Sequence, residues 1–252
     1  MHRKVLSQFF IFSQFEESMN NPLPSNQPYS YGGATGVAVR NSVLRNTYWL
    51  LALSMLPTML GAWLGVSMNI NLMGGSPFMS FILFMAIAMG FIFAIEKFKN
   101  SGIGVALLLG FTFFLGLMLA PMIGMTLGSY RNGSTIIMMA AGSTAAIFGV
   151  MATIATVSKR DFSGLGKWLF VGLILAIVAS VANIWLQLPA LMLTISVIST
   201  AIFSAYILYD VQSIVNGGET NYVSATLRIY LDIYNIFANL LAIFGIVGGD
   251  RD

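Results

Sequence analysis

The chain has 252 residues, of which 57% are hydrophobic and only 8% charged, with a net charge of +3. A soluble globular domain carries roughly 25% charged residues, so this chain cannot coat a water-facing surface and reads as a polytopic membrane protein of the all-α class. The absence of cysteine excludes disulfides, thiolate chemistry and cysteine metal sites, and a single histidine, His2, excludes histidine-based zinc sites and Ser-His triads.

Residues 1–45 are polar, with Asn, Gln, Ser, Pro and Gly gathered between Met19 and Gly36. That composition predicts a disordered cytoplasmic tail. Its apolar patch, Phe9 to Phe15, is too short to span a bilayer. The early cationic residues are followed by a broken apolar stretch and no small-residue cleavage site, so no signal peptide is expected.

Residues 46–249 then form a seven-helix transmembrane domain. A helix needs about 20 apolar residues to cross the hydrocarbon core. The predicted spans are Thr47–Val66, Pro77–Glu96, Ile103–Met122, Thr135–Val157, Lys167–Gln187, Pro189–Val211 and Thr226–Val247. Pro77 and Pro189 fall at first-turn positions, where a missing N–H costs little. Pro121 is expected to bend or stop the third helix. The connection Gln187-Leu188-Pro189 is so short that the fifth and sixth helices must form an antiparallel hairpin.

Lysine and arginine set the expected orientation. With the N-terminus inside, ten of the twelve basic residues fall on cytoplasmic segments, and only Arg131 and Arg251 lie opposite. The expected location is the bacterial inner membrane, multi-pass, with the N-terminus cytoplasmic. The partner is the lipid bilayer; no nucleic acid is expected. Gly61/Gly65 and Gly124/Gly128 are GxxxG pairs, and Gly142, Ala146 and Gly149 keep one side of the fourth helix small. Small residues let membrane helices approach closely, and plain bundle packing explains them. The sixteen methionines read as core or lipid-facing filler rather than metal ligands.

The acids are more informative. Of nine Asp and Glu residues, only Glu96, Asp210 and Asp232 lie within or beside spans. Glu96 abuts Lys97 at a helix end, which reads as an interfacial pair. An ionised Asp at a helix centre costs about 3 kcal/mol even on the mild insertion scale, so Asp210 and Asp232 call for a functional explanation. In the seventh segment Arg228, Asp232, Asn235 and Asn239 are spaced 4, 3 and 4, which puts them on one narrow face. Ser196, Ser199, Tyr206 and Asp210 form a comparable stripe on the sixth, interrupted by Phe203. Two polar stripes on consecutive helices should face each other or a shared wet cavity. Asp210 and Asp232 are then a carboxylate pair in the bundle interior, near the cytoplasmic side.

Two such groups share one proton, because both cannot cheaply ionise in a low-dielectric site. A proton-bridged pair ties two helices together. Raising the pH removes the proton, and the charges then repel or must find a cation. Ca²⁺ suits carboxylate oxygens, so the pair is a candidate for both sensing pH and transiently holding Ca²⁺; no resident cofactor is expected. A plainer alternative is that each Asp caps or salt-bridges a helix end, for instance Asp232 with Arg228 at i, i+4.

Four stretches carry a family likeness: VLRNTYWLL (43–51), NIWLQLPAL (183–191), ILYDVQSIVNGGETNY (207–222) and YLDIYNIFANLL (230–241). They resemble the Bax inhibitor (transmembrane BAX inhibitor motif) family over about residues 40–249, closest to the bacterial branch that includes the modulator of the FtsH protease. The NGGETNY loop and its flanking spans are the most specific part. The resemblance implies a seven-helix bundle with the last helix near the centre. It also implies a pH-sensitive Ca²⁺ leak governed by two aspartates, matched here by Asp210 and Asp232. The family's second-helix arginine, which pairs with the acids, has no match in 77–96; Lys97 or Arg228 would have to substitute. A membrane-bound AAA protease of the FtsH type is the second function that the likeness implies, with this chain as a non-catalytic modulator.

Paired intramembrane aspartates also serve presenilin-like proteases, whose first motif Tyr209-Asp210 resembles. Their second motif is GxGD. Asp232 sits in YLDIY without those glycines, and Val247-Gly248-Gly249-Asp250 lacks the first Gly and lies at the far end of its helix. The chain is therefore not expected to be an enzyme.

Overall fold

The computed structural model describes residues 31–70 and 76–249. The chain divides into two units, Met1–Ala38 and Val39–Asp252. Among the described residues there are seven helices and no strand: α1 (Tyr31–Ser67), α2 (Pro77–Phe98), α3 (Gly102–Ser129), α4 (Gly133–Val157), α5 (Leu165–Leu186), α6 (Pro189–Val215) and α7 (Tyr222–Gly248). Each contains a stretch long and apolar enough to cross a membrane, within α1 the part Val39–Ser67.

The spans match the predicted ones in number and order, and differ at several boundaries, the end of α6 among them, which lies at Val215 rather than Val211. First, α1 begins at Tyr31 rather than Thr47, so residues 31–45, expected in the polar tail, are helical. The remainder of that tail, residues 1–30, lies outside the described residues. Second, Pro121 does not stop α3, which runs on to Ser129; α1 likewise carries Pro57 in its interior. Membrane helices tolerate such prolines because packed neighbours accommodate the broken ladder. Third, α7 starts four residues before Thr226, because Asn221 caps it, its side-chain oxygen accepting from the N–H groups of Val223 and Ser224 at 2.9 and 3.1 Å.

The last helix is central. It packs on α2, α3, α4 and α6 and hydrogen-bonds to α1, where Thr226 Oγ1 donates to the Thr47 carbonyl at 3.3 Å. By contrast α5 is an outer helix, with Leu169 its one buried residue. The outward faces are apolar, as lipid contact requires. Trp49, Trp63, Trp168 and Trp185 are all exposed. On α5 the two tryptophans are about 26 Å apart along the axis, a spacing suited to two interfacial aromatic belts.

Glycine does its expected work between α1 and α3. A Cβ on Gly61 would collide with the carbonyl of Phe113, and one on Gly116 with the carbonyl of Thr58. Backbone therefore touches backbone at this crossing. Gly124, Gly128, Gly142 and Gly149 have open space beside them, so the second GxxxG pair and the small face of α4 are not packing surfaces among the described residues.

One end of the bundle is tied by polar contacts between connections. Asn221 Nδ2 donates to Asn100 Oδ1 at 2.7 Å. Gln212 of α6 accepts from the Phe162 N–H and donates to the Arg160 carbonyl, both at 2.6 Å. At the other end Asn132 Nδ2 donates to the Gly248 carbonyl at 2.8 Å.

Candidate functional site

The helix phases place the two polar stripes as their spacing requires. Ser196, Ser199, Tyr206 and Asp210 on α6, and Arg228, Asp232, Asn235 and Asn239 on α7, all line one cavity of about 1040 Å³. Phe203, which interrupts the α6 stripe, lines it too. Mostly apolar residues of α2, α3 and α5 line the remaining sides. Along α6 the cavity runs from Met192 to Asp210, about 27 Å of helix. That is most of a hydrocarbon core about 30 Å thick.

The acids close one end. Asp210 is 8% exposed and Asp232 5%. Their carboxyl groups lie within hydrogen-bonding reach of each other. Ionised carboxylates only accept, so this contact becomes a bond when one of the two carries a proton. Asp232 Oδ2 is fully buried and has no donor, which leaves it open to a proton or a cation. Asp210 is little more than one turn from the end of α6 at Val215, whereas Asp232 is nearly three turns inside α7. The sequence reading put them at similar depth, about four and six residues from those helix ends; the start of α7 at Tyr222 rather than Thr226 sets Asp232 deeper.

The supporting residues divide. Tyr206 is within electrostatic reach of both acids. Asn235 and Asn239 each turn the amide back on their own helix, donating to the carbonyls of Leu231 and Asn235 at 2.7 Å. Arg228 does not pair with Asp232. Its guanidinium bonds Glu219 of the connecting loop at 3.2 Å, because Asp232 is buried while Arg228 is half exposed and reaches outward. Its charge still acts on Asp210. Glu96 pairs with Lys99 at 2.9 Å, not with Lys97. Residues three apart share a helix face and adjacent ones do not. Lys97 is exposed, away from the cavity, with its ammonium over the Phe98 ring at 5.6 Å. Of the two candidates for a partner cation, only Arg228 is at the site.

Sequence reasoning missed Glu219, Tyr209 and the α5 contributors Ser180 and Asn183, which also line or border the cavity. Glu219 stands in the quoted NGGETNY loop, and Tyr209 beside Asp210. Nothing in α5 singled out its face, since that helix is nearly all apolar. Among the described residues no group of three or more His, Cys, Asp or Glu gathers as a metal site.

The family described as Inhibitor of apoptosis-promoting Bax1 matches residues 40–249. The chain belongs to the Bax inhibitor family. An uncharacterized protein of Neisseria meningitidis is 37% identical over 84% of this chain and 93% of its own. A Vibrio cholerae membrane protein is 36% identical over 83% and 92%. The Escherichia coli protein named modulator of FtsH protease, YccA, is 35% identical over 86% and 95%. With its seven apolar helices, this member of the Bax inhibitor family is a multi-pass membrane protein.

Proposed function

We propose that this chain is a pH-sensitive cation leak of the inner membrane, with Ca²⁺ as cargo, gated by Asp210 and Asp232. The observation that carries the reading is the meeting of two buried carboxyl groups at the end of a cavity nearly as long as the bilayer is thick. With one proton the pair joins α6 to α7 and closes that end. Without it, two negative charges repel in a poorly hydrated place. Either the helices part or a cation enters between them. The other titratable groups facing the pair are Tyr206 and Tyr209 on α6 and Arg228 and Tyr234 on α7, with Glu219 engaging Arg228 from the loop. The lining residues of α2, α3 and α5 contribute none. The basic residues favour an orientation with this end in the cytoplasm.

The test is Ca²⁺ flux from proteoliposomes across a pH series. Wild-type flux should rise as the pH rises and the shared proton is lost. Asp210→Asn and Asp232→Asn should each change the flux and flatten its pH dependence. Unchanged profiles in both variants remove the reading.

A second reading draws on the relative named modulator of FtsH protease: this chain binds a membrane AAA protease without catalysing anything. Capture of such a protease should then survive both Asp substitutions, while deleting residues 1–40 should weaken it. Capture lost with either Asn variant, or none at all, counts against it.

A further inference from the structure

The cavity is built of two unlike parts. At one end stand Asp210, Asp232 and Tyr206; the wall facing the two polar stripes is apolar on α2, with Phe81, Phe84, Met85, Met89 and Ile92, and Phe203 of α6 interrupts its own stripe. A bare divalent ion wants six to eight oxygens around it, and this end offers two carboxylates and a phenol. An ion passing through would keep most of its water, since beyond the acids only scattered serines and asparagines such as Ser199 and Asn235 offer oxygens. The wall is not sealed: Met89 and Met192 line the cavity yet are 49% and 43% exposed. Both methionines lie in the membrane-spanning stretches of α2 and α6, so this part of the wall is at the depth of the bilayer.

We propose that the cavity binds a long-chain alkylammonium, a single-chain lipophilic amine that enters sideways from the bilayer. Its ammonium sits at Asp210 and Asp232 and its hydrocarbon lies along the α2, α3 and α6 wall. Charge complementarity selects the head group. A pair that holds one proton carries a single negative charge, which one ammonium neutralises. The ammonium's three N–H donors supply what Asp232 Oδ2 lacks. The apolar wall adds no preference over lipid, since both are hydrocarbon, so selectivity rests on the acids. A fatty acid would bring a third carboxylate to the same place, and a quaternary amine would bring charge without donors. The inference rests on the pair being a cation site, and not on ions crossing the membrane.

The probe is a dodecylamine analogue with a photoreactive diazirine at mid-chain, added to the full-length protein in phosphatidylcholine nanodiscs. Labelled positions are mapped by peptide mass spectrometry. Labels should fall on Phe203 and Met89, be displaced by dodecylamine, and resist lauric acid and dodecyltrimethylammonium. In the Asp210→Asn, Asp232→Asn double variant labelling should fall about tenfold or more, as expected when a charged hydrogen-bond partner is removed. Ala238→Phe narrows the cavity without touching the acids and should also block labelling, which keeps the test decisive if the double variant does not fold. Undiminished labelling in both variants, or equal displacement by lauric acid, overturns the proposal and leaves a space that any acyl chain fills. Ca²⁺ flux in proteoliposomes of the same proteins separates the two readings. Loss of amine selectivity with acid-dependent flux intact overturns the amine site alone. Acid-dependent labelling with acid-independent flux supports the amine site and overturns the leak alone.

Discussion

Tyr230 of α7 and Thr58 of α1 share a hydrogen bond of 2.6 Å between their hydroxyls in the interior of the bundle. The tyrosine is 1% exposed, and its hydroxyl also approaches the Thr112 carbonyl of α3 at 3.5 Å. One phenol thus joins the central helix to the two helices that cross on Gly61 and Gly116. Removing it with Tyr230→Phe should destabilise the bundle by about 1 kcal/mol, the usual worth of one such bond in water and somewhat above the average in membranes. The check is thermal unfolding in detergent. In a double-mutant cycle with Thr58→Val the second substitution should cost less than it does alone.

The α1–α3 crossing is intolerant of bulk. Gly61→Leu must push α1 off the Phe113 carbonyl, and should cost on the order of 1–3 kcal/mol. A Cβ on Gly124 meets nothing within 4 Å, so Gly124→Leu should leave the unfolding midpoint where it is. A comparable loss in both would show that helix propensity or insertion, and not this contact, sets the effect.

Gln212 holds the α4–α5 connection by two short bonds while being 4% exposed. Gln212→Leu leaves the Phe162 N–H and the Arg160 carbonyl without their partner, a loss of about 1–3 kcal/mol if neither finds water. Limited trypsinolysis after Lys159 and Arg160 should accelerate. Gln212→Glu should fall between, since a carboxylate accepts from Phe162 but cannot donate to Arg160.

Asp161, in the same connection, is a built-in control for the pH argument. The Ser163 N–H at 2.9 Å, and next its hydroxyl at 3.0 Å, donate to the Asp161 carboxyl and hold it below the usual carboxylate value. A carboxyl so held is ionised across neutral and mildly acidic pH and protonates only as the pH falls below its ordinary range. Asp161→Asn should therefore leave the pH profile of Ca²⁺ flux unchanged, in contrast to the two buried acids. A shifted profile would move the sensor to the loop.

Much of the site was legible because helices repeat. The spacing of Arg228, Asp232, Asn235 and Asn239 puts them on one face wherever α7 happens to start, and the same holds for Ser196, Ser199, Tyr206 and Asp210 on α6. Contacts that depend on loop path were not legible. Glu219 reaches Arg228 only because the loop folds back over the start of α7. The start of α1 was misread for a local reason: Gly32, Gly33 and Gly36 are poor helix formers, and their composition looks like tail. The stop expected as one alternative at Pro121 fails for the opposite reason. A rule learned in water says that proline ends a helix, whereas in lipid an ended helix would leave its backbone unsatisfied.

The central place of α7 bears on how the molecule is made. Six helices leave the ribosome before the one that most of them pack against, so each waits in the insertion machinery or the surrounding lipid with its inward face uncovered. Asp210 emerges ahead of Asp232 and stays unmatched until α7 follows. A nascent chain halted short of Tyr222 is therefore a bundle without its axle, carrying an orphan acid, and offers quality-control proteases a clear mark of incompleteness.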